Sequence, residues 1–438
     1  MRLPTDHPQR YALNNEIHAR APQDVEAPSQ ISYLVLTFSA AEKNQAHGDL
    51  ARLCEMAGAA TPPPDVLHFR SSFGQINLNW ERHTEFATFT FTRHTSFAHP
   101  FKNTVLEAVP EQWLLSVHGE LLIGIHLAVR DHSDHVPDLL KVVPDFSGNY
   151  LVGSSVGSNT AIVLTDFRIH EDGCSRILLV DTKMGKRHAG RTVRRLLEIE
   201  TYRMACLLGL PVAREVGQTV AKAEAELAAH TTSLTSSLTE RRGDDEAALL
   251  KQLTALAATV ENQLATTNFR FGAARAYYAL VKRRIAELRE ERLTGVQTIE
   301  EFMERRLAPA METCESAAKR LFDLSERISR ASALLRTRVD IEREQQNQAL
   351  LASMNRRAQM QLRLQQTVEG LSIAAITYYV IGLVGFMAKG LKAIGLPIDA
   401  DIAMAVAIPF VAGTAWFALQ RWRAKVKASK SSTEFLDD

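Results

Sequence analysis

Two stretches of this chain, LSIAAITYYVIGLVGFMA at 371–388 and IAMAVAIPFVAGTAWFAL at 402–419, hold no charged side chain, although 23% of all residues are charged. Eighteen helical residues rise about 27 Å, close to the thickness of a bilayer's hydrocarbon core. Two such runs joined by the short segment 389–401 are hard to bury in one soluble domain. They read as a hairpin of two transmembrane helices, because a helix satisfies its own backbone polar groups in lipid. The hairpin loop holds Lys389 and Lys392 against Asp399 and Asp401, and more positive charge lies outside it: Arg356, Arg357 and Arg363 before the hairpin, and Arg421, Arg423, Lys425, Lys427 and Lys430 after it. That bias places both termini in the cytoplasm, with Trp416 and Trp422 near the inner interface.

Tyr378 and Tyr379 fall at mid-membrane depth, where a hydroxyl needs a partner or water. Either they bond neighbouring helices or they face an aqueous path. A lone hairpin cannot enclose a path, so the second option requires a homo-oligomer, for which a pentamer is one solution. With Gly382, Gly385, Phe386 and Met387 the two tyrosines are the candidate pore-lining residues, and Asp399 and Asp401 in the outer loop would attract cations. Lys389 near the mouth would oppose them.

The remaining chain divides in two. Eleven of fifteen prolines precede residue 150, and between Pro211 and Pro397 only Pro309 interrupts. The first part shows strand-like runs at 31–38, 76–80, 86–92, 120–129, 160–167 and 176–181, with helices over 40–58 and 137–143. In FATFTFT, Phe86, Thr88 and Thr90 alternate with Ala87, Phe89 and Phe91, the signature of a half-buried strand. An α+β domain over 1–185 follows. From Arg191 the period lengthens: Leu249, Leu253, Leu256, Val260 and Leu264, then Tyr278, Val281, Ile285 and Leu288, then Leu321, Leu324, Ile328, Ala331 and Leu335. These are seams of long antiparallel helices, a coiled-coil stalk over 186–366. The hairpin occupies 367–423 and a basic cytoplasmic tail 424–438.

A net charge of +1 argues against a nucleic-acid partner. Cys54, Cys174, Cys206 and Cys314 show no CxxC spacing, as expected in a reducing cytoplasm. The N-terminus carries no signal-peptide core. DHSDH places His132, Asp134 and His135 in one loop, a candidate site for a divalent metal ion as cofactor. NNEIHAR offers Glu16, His18 and Arg20 for acid–base chemistry, although Glu16 and His18 share a face only on a strand. GSSVGSN (153–159) lacks the GK[ST] of a phosphate cradle and reads as a turn. KMGKRHAGRTVRR (183–195) reads as a solvated basic face, with Arg194 four residues before Glu198. No HExxH or Walker A pattern occurs, and the chain is not expected to be an enzyme.

Five segments, HPQRYALNNEIHARAP (7–22), NWERHTEFATFTF (79–91), LTDFRIHEDGCSRILLVD (164–181), GRTVRRLLEIETYRMACLLGLPVAREV (190–216) and EGLSIAAITYYVIGLVGFMAKG (369–390), resemble a bacterial family of membrane-anchored proteins known only as a domain of unknown function. In architecture the chain is similar to CorA-type magnesium channels, homo-pentamers whose first membrane helix lines the pore. Their Gly-Met-Asn signature is replaced here by Gly385-Phe386-Met387-Ala388-Lys389-Gly390. The resemblances imply an oligomeric bacterial inner-membrane protein acting as a CorA-like divalent-cation channel or transporter. The alternative is a membrane-anchored scaffold or sensor with a cytoplasmic ligand-binding domain and no transport activity.

Overall fold

The computed structural model describes residues 4–11, 13–14, 23–39, 42, 45–64, 66–131, 139–236, 243–395 and 399–431. They form two compact units, Met1–Ala333 and Leu334–Asp438. The first is α+β. Its strands are β1 (Ser29–Thr37), β2 (His68–Phe73), β3 (Ile76–Arg82), β4 (Phe86–His94), β5 (Glu120–Asp131), β6 (Val152–Val156), β7 (Ala161–Thr165), β8 (Ser175–Asp181) and the two-residue β9 (Glu291–Arg292). They make one mixed sheet in the order β2-β3-β4-β1-β5-β8-β7-β6-β9. Every named pair is antiparallel except β5 with β8, which run parallel.

The alternation of FATFTFT decides what lies on each face. Ala87, Phe89 and Phe91 join Leu34, Leu36 and Trp80 in a core closed by α1 (Gln45–Met56) and α2 (Glu111–Ser116). There Trp113 donates its indole N–H to the Asp49 carbonyl at 2.8 Å, so the ring is buried with its polar atom satisfied. A second core lies under β5, β7 and β8, where Ala128, Ile162, Leu164, Leu178 and Val180 meet Phe101 and Phe146.

Two strands depart from the sequence pattern. GSSVGSN is a turn only in its second half: Val152–Val156 is a buried strand, and the left-handed residues Gly157, Ser158 and Asn159 then reverse the chain. A side chain at Gly153 would come within 2.3 Å of the Val163 carbonyl oxygen, so close strand approach selects the small residues that imitate a loop. β2 was not legible either, because HFRSSF lies at the sheet edge and never becomes fully buried.

Helix α3 (Lys186–Leu207) covers part of the sheet's other face, through a buried hydrogen bond of 3.0 Å between Thr201 on the helix and Tyr33 on β1. It is followed by α4 (Gly209–Ser236), α5 (Gly243–Leu288), α6 (Ile299–Arg306) and α7 (Ala308–Ala393). Gly209 of α4 sits against Ala274 of α5 and Cys314 of α7. Further along, Arg320 pairs with Glu224 at 2.6 Å and Ser325 bonds Glu261 at 2.6 Å. Residue numbers therefore rise together on α4 and α7 and fall on α5, which runs opposite to both. The expected seam residues Leu249, Leu253, Leu256, Val260, Leu321, Leu324 and Ile328 are buried there.

The second unit contains the rest of α7 and α8 (Ala400–Ser431), and both helices are long and apolar enough to cross a membrane. They pack on small residues: a side chain at Gly385 would meet the Met404 sulfur at 2.5 Å, and Ala388 and Ala400 are buried.

Candidate functional site

Between α3 and the face formed by β1, β3 and β4 lies a narrow cleft with about 80 Å³ of room for water-sized molecules. One wall is helical. Gly190, Val193, Arg194, Leu197, Glu198 and Thr201 recur at three- and four-residue spacing and so form a single stripe of α3. The opposite wall is the second face of FATFTFT and its neighbour strand: Phe86, Thr88, Thr90 and Thr92 on β4, and Ile31 and Tyr33 on β1. Among the described residues, the hydroxyls of Thr88, Thr90 and Thr92 make no hydrogen bond. The site therefore combines a ladder of available hydroxyls with apolar surface from Val193 and Leu197.

Charged groups rim this floor in linked pairs. Arg194 donates to Glu198 at 2.8 Å and approaches Glu81 at 3.8 Å. Glu81 also accepts from Asn79 at 3.2 Å and lies 3.8 Å from His83, whose ring stacks on Phe86 at 4.5 Å between centroids. Burial alone would lower the Arg194 pKa, but the bond to Glu198 and the charge of Glu81 raise it, so the guanidinium stays charged. At the base, burial drives the Tyr33 phenol far above its ordinary value, which keeps it a neutral hydroxyl against Thr201. Tyr202 stacks on Tyr277 of α5 at 5.8 Å, and Tyr277 donates to Glu85 at 2.9 Å.

Gly190 allows one end of this cleft to close. A Cβ there would fall 1.9 Å from the Gln23 carbonyl oxygen, while the Val25 N–H donates to the Lys186 carbonyl at 3.1 Å. Gly190→Ala must push a backbone segment off the helix. It is expected to lower stability by about 1–3 kcal/mol, measured by thermal denaturation of the detergent-purified protein. An unchanged melting temperature would show that the 23–25 segment is not held against α3.

The residues singled out from sequence lie elsewhere. Glu16, His18 and Arg20, and likewise His132, Asp134 and His135, fall outside the described residues. Tyr378 and Tyr379 are 77% and 71% exposed on α7, where Phe386 and Met387 are exposed too. Gly385 faces Met404, and Gly382 has nothing within reach of an added Cβ. Asp399 stands just before α8 and accepts the Asp401 N–H at 3.0 Å. In the basic 183–195 segment, Arg194 is committed to Glu198 and Arg195 to Glu287, the latter at 3.2 Å.

Sequence reasoning assigned no site role to Glu81, His83, Thr88 or Thr90. The available signal was threonine at every second position opposite phenylalanine, a polar face on a strand too apolar to be solvated on both sides. It also passed over a serine–histidine–aspartate alignment: Ser147 Oγ lies 3.2 Å from His170 Nδ1, and His170 Nε2 lies 3.0 Å from Asp166. The backbone N–H groups of Ser147, Gly148 and Asn149 are donated to Pro144, Val143 and Phe146. None of the three is left to stabilise an oxyanion, which acyl transfer requires, and Asn149 and the Arg168 N–H also bind Asp166. This network pins a loop.

No curated protein matches the sequence. A solved structure described as "structure of the full-length CmaX protein" is similar at 14% identity, covering 72% of this chain and 93% of that chain, with a TM-score of 0.20, at which the likeness carries no argument. Residues 5–426 match the family described as "Protein of unknown function (DUF3422)", and the chain belongs to that family.

Proposed function

We propose that this is a membrane-anchored ligand-binding protein, in which the α7–α8 hairpin holds the α+β unit at the cytoplasmic face of a bacterial inner membrane. The observation that carries this reading is the row of threonine hydroxyls, unpaired among the described residues, along the α3 cleft. These hydroxyls are open to water rather than sealed away, and a small organic ligand with hydroxyl or carbonyl groups on one side and hydrocarbon on the other would replace that water. Ligand pockets combine apolar walls with a few convergent polar groups in this way. The ion-paired rim would orient such a molecule and leave the cleft's own charges neutralised.

A second reading, a CorA-like divalent-cation channel, is favoured by the exposed Tyr378, Tyr379, Phe386 and Met387 on the first span. A homo-oligomeric ring would have to gather these residues around one axis, with Asp399 and Asp401 drawing cations to the mouth.

Native mass spectrometry of the full-length protein in mild detergent tests both readings. The expected result is a small-molecule adduct of fixed mass on the wild-type protein, lost from Thr90→Val and Thr88→Val variants that melt like the wild type. Bare protein that also gains no melting temperature from a library of small polar metabolites would overturn the ligand-binding reading. A closed ring of five or so copies, followed by cation flux in liposomes, would replace it with the channel.

A further inference from the structure

Away from the cleft, on the other face of the sheet, β5 and the loop before β8 bring together three side chains with metal-ligand chemistry. His126, Asp172 and Cys174 each offer one donor atom, and these atoms lie within 4.8 Å of one another. His126 and Cys174 are only 5% and 3% exposed, whereas Asp172 reaches solvent. From this arrangement we propose that His126, Asp172 and Cys174 form a binding site for one Zn²⁺ ion, independent of the ligand reading of the cleft.

Several features of the backbone support the site. Gly124 and His126 are two residues apart on a strand and so share a face. A Cβ at Gly124 would lie 2.8 Å from the Cys174 sulfur, so glycine there is what lets the thiol sit beside the imidazole. β5 and β8 pair in parallel with Ile125 opposite Ser175, which fixes Cys174 at the level of Gly124.

The imidazole is already oriented. Ser32, the cross-strand partner of His126 on β1, bonds its Nδ1 at 3.0 Å. Nε2 makes no hydrogen bond among the described residues and lies 4.0 Å from Asp172 Oδ2. That is the arrangement of a metal-binding histidine, with one ring nitrogen anchored and the other available. Asp172 divides its oxygens in the same way: Oδ1 accepts the Cys174 N–H at 3.0 Å, and Oδ2 faces His126. Arg176, 3.6 Å from Oδ2, would hold the carboxylate from outside.

Zinc bonds of about 2.0–2.3 Å to N, O and S place tetrahedral donors roughly 3.3–3.8 Å apart. The cluster is therefore about an ångström too open, and the exposed Asp172 loop, which turns at the left-handed Gly173, is the part able to close. One nitrogen, one oxygen and one sulfur suit a borderline-soft divalent ion, and the exposed side leaves a fourth position for water. Burial lowers the His126 pKa, so the imidazole is neutral as a ligand must be, and it pushes the Cys174 thiol up to about 12, so the metal displaces that proton on binding.

The test uses the full-length protein in detergent, stripped with chelator and titrated with Co²⁺ and then Zn²⁺. The expected result is one metal per chain by elemental analysis, with Co²⁺ giving a thiolate charge-transfer absorption that Zn²⁺ abolishes. Cys174→Ser should remove that absorption, and Asp172→Asn, at a solvent-exposed position, should weaken Zn²⁺ binding at least tenfold. Ser32→Ala should weaken it by roughly 10–100-fold through loss of ring orientation. A His132→Ala/His135→Ala variant should bind as the wild type does. Absence of the charge-transfer band in the wild type, or its persistence in Cys174→Ser, would overturn the site. So would loss of the metal in the His132/His135 variant.

Discussion

Glu198→Ala is expected to lower the stability of the full-length protein by about 2–3 kcal/mol. Glu198 on α3 accepts hydrogen bonds from Arg194 at 2.8 Å and from Arg284 of α5. Arg284 continues to Glu287 at 3.0 Å, and Glu287 also takes Arg195 and Arg283, each at 3.2 Å. Two carboxylates thus bind four arginines across the α3–α5 interface. Removing Glu198 takes away the carboxylate shared by two half-buried guanidinium groups, leaving Arg284 with Glu287 alone and Arg194 with Glu81 at 3.8 Å.

Breaking a fully buried pair costs about 3–5 kcal/mol. The arginines here keep 27% and 24% of their side-chain surface exposed, so solvent screening reduces the figure. Thermal denaturation should register a fall of roughly 4–8 °C. Glu198→Gln should lose less, and Glu198→Ala combined with Arg284→Met should recover part of the loss by removing one of the two cations that repel each other across the vacated position. A single variant melting within a degree of the wild type would show that apolar packing alone seats α3 on α5. The network also sets an acid limit. Burial would raise the Glu287 pKa, but Arg284, Arg195 and Arg283 hold it below the ordinary 4.5. Its contribution is present above that value and is lost as pH falls through the lower folded-state one.

What could be read from sequence were the features carried by a single continuous segment. The two spans are unbroken apolar windows, and β4 shows its two faces in seven letters. The helical seams repeat over enough turns that Leu253, Leu256, Leu321 and Leu324 could be named before any fold was known, and all four are buried. The cleft could not be read because its walls come from three distant places, near Tyr33, near Thr88 and near Arg194, that only sheet order and the seating of α3 bring together. α3 itself has a helical period like the bundle that follows it, and nothing in that period says that one stripe faces a sheet. Metal chemistry was sought where histidines cluster, at His132 and His135. His126 and Cys174 are 48 residues apart in sequence, and it is the parallel pairing of β5 with β8 that makes them neighbours. Close backbone approach was hidden for a related reason, since Gly124, Gly153 and Gly190 look like loop residues until the opposing chain is known.

The larger effect is expected from removing the apolar helices. A chain ending at Arg343 should stay folded and leave the membrane fraction, while the full-length chain resists extraction by carbonate at high pH. The truncated chain keeps the whole first unit, Met1–Ala333, and also Leu335, the last buried side chain of α7 before Gly385. What it loses is the surface that water opposes. Leu371, Ile376, Leu383 and Phe386 on the first span, and Ile402, Val406 and Phe410 on the second, are each between 55% and 77% exposed. Fully burying such a side chain in hydrocarbon is worth about 1.5–3 kcal/mol, so these seven, already partly covered, hold the protein in a bilayer by roughly 10 kcal/mol before any smaller residue is counted. Such a difference separates two fractions almost completely. Recovery of the full-length chain in the soluble fraction without detergent would mean that the helices are covered by protein, through association of several copies, and the membrane assignment would fall. Retention of the truncated chain on membranes would instead place a second lipid contact on the first unit. The basic 183–195 segment is the first place to look for it, although Arg194 and Arg195 already spend their charge on Glu198 and Glu287.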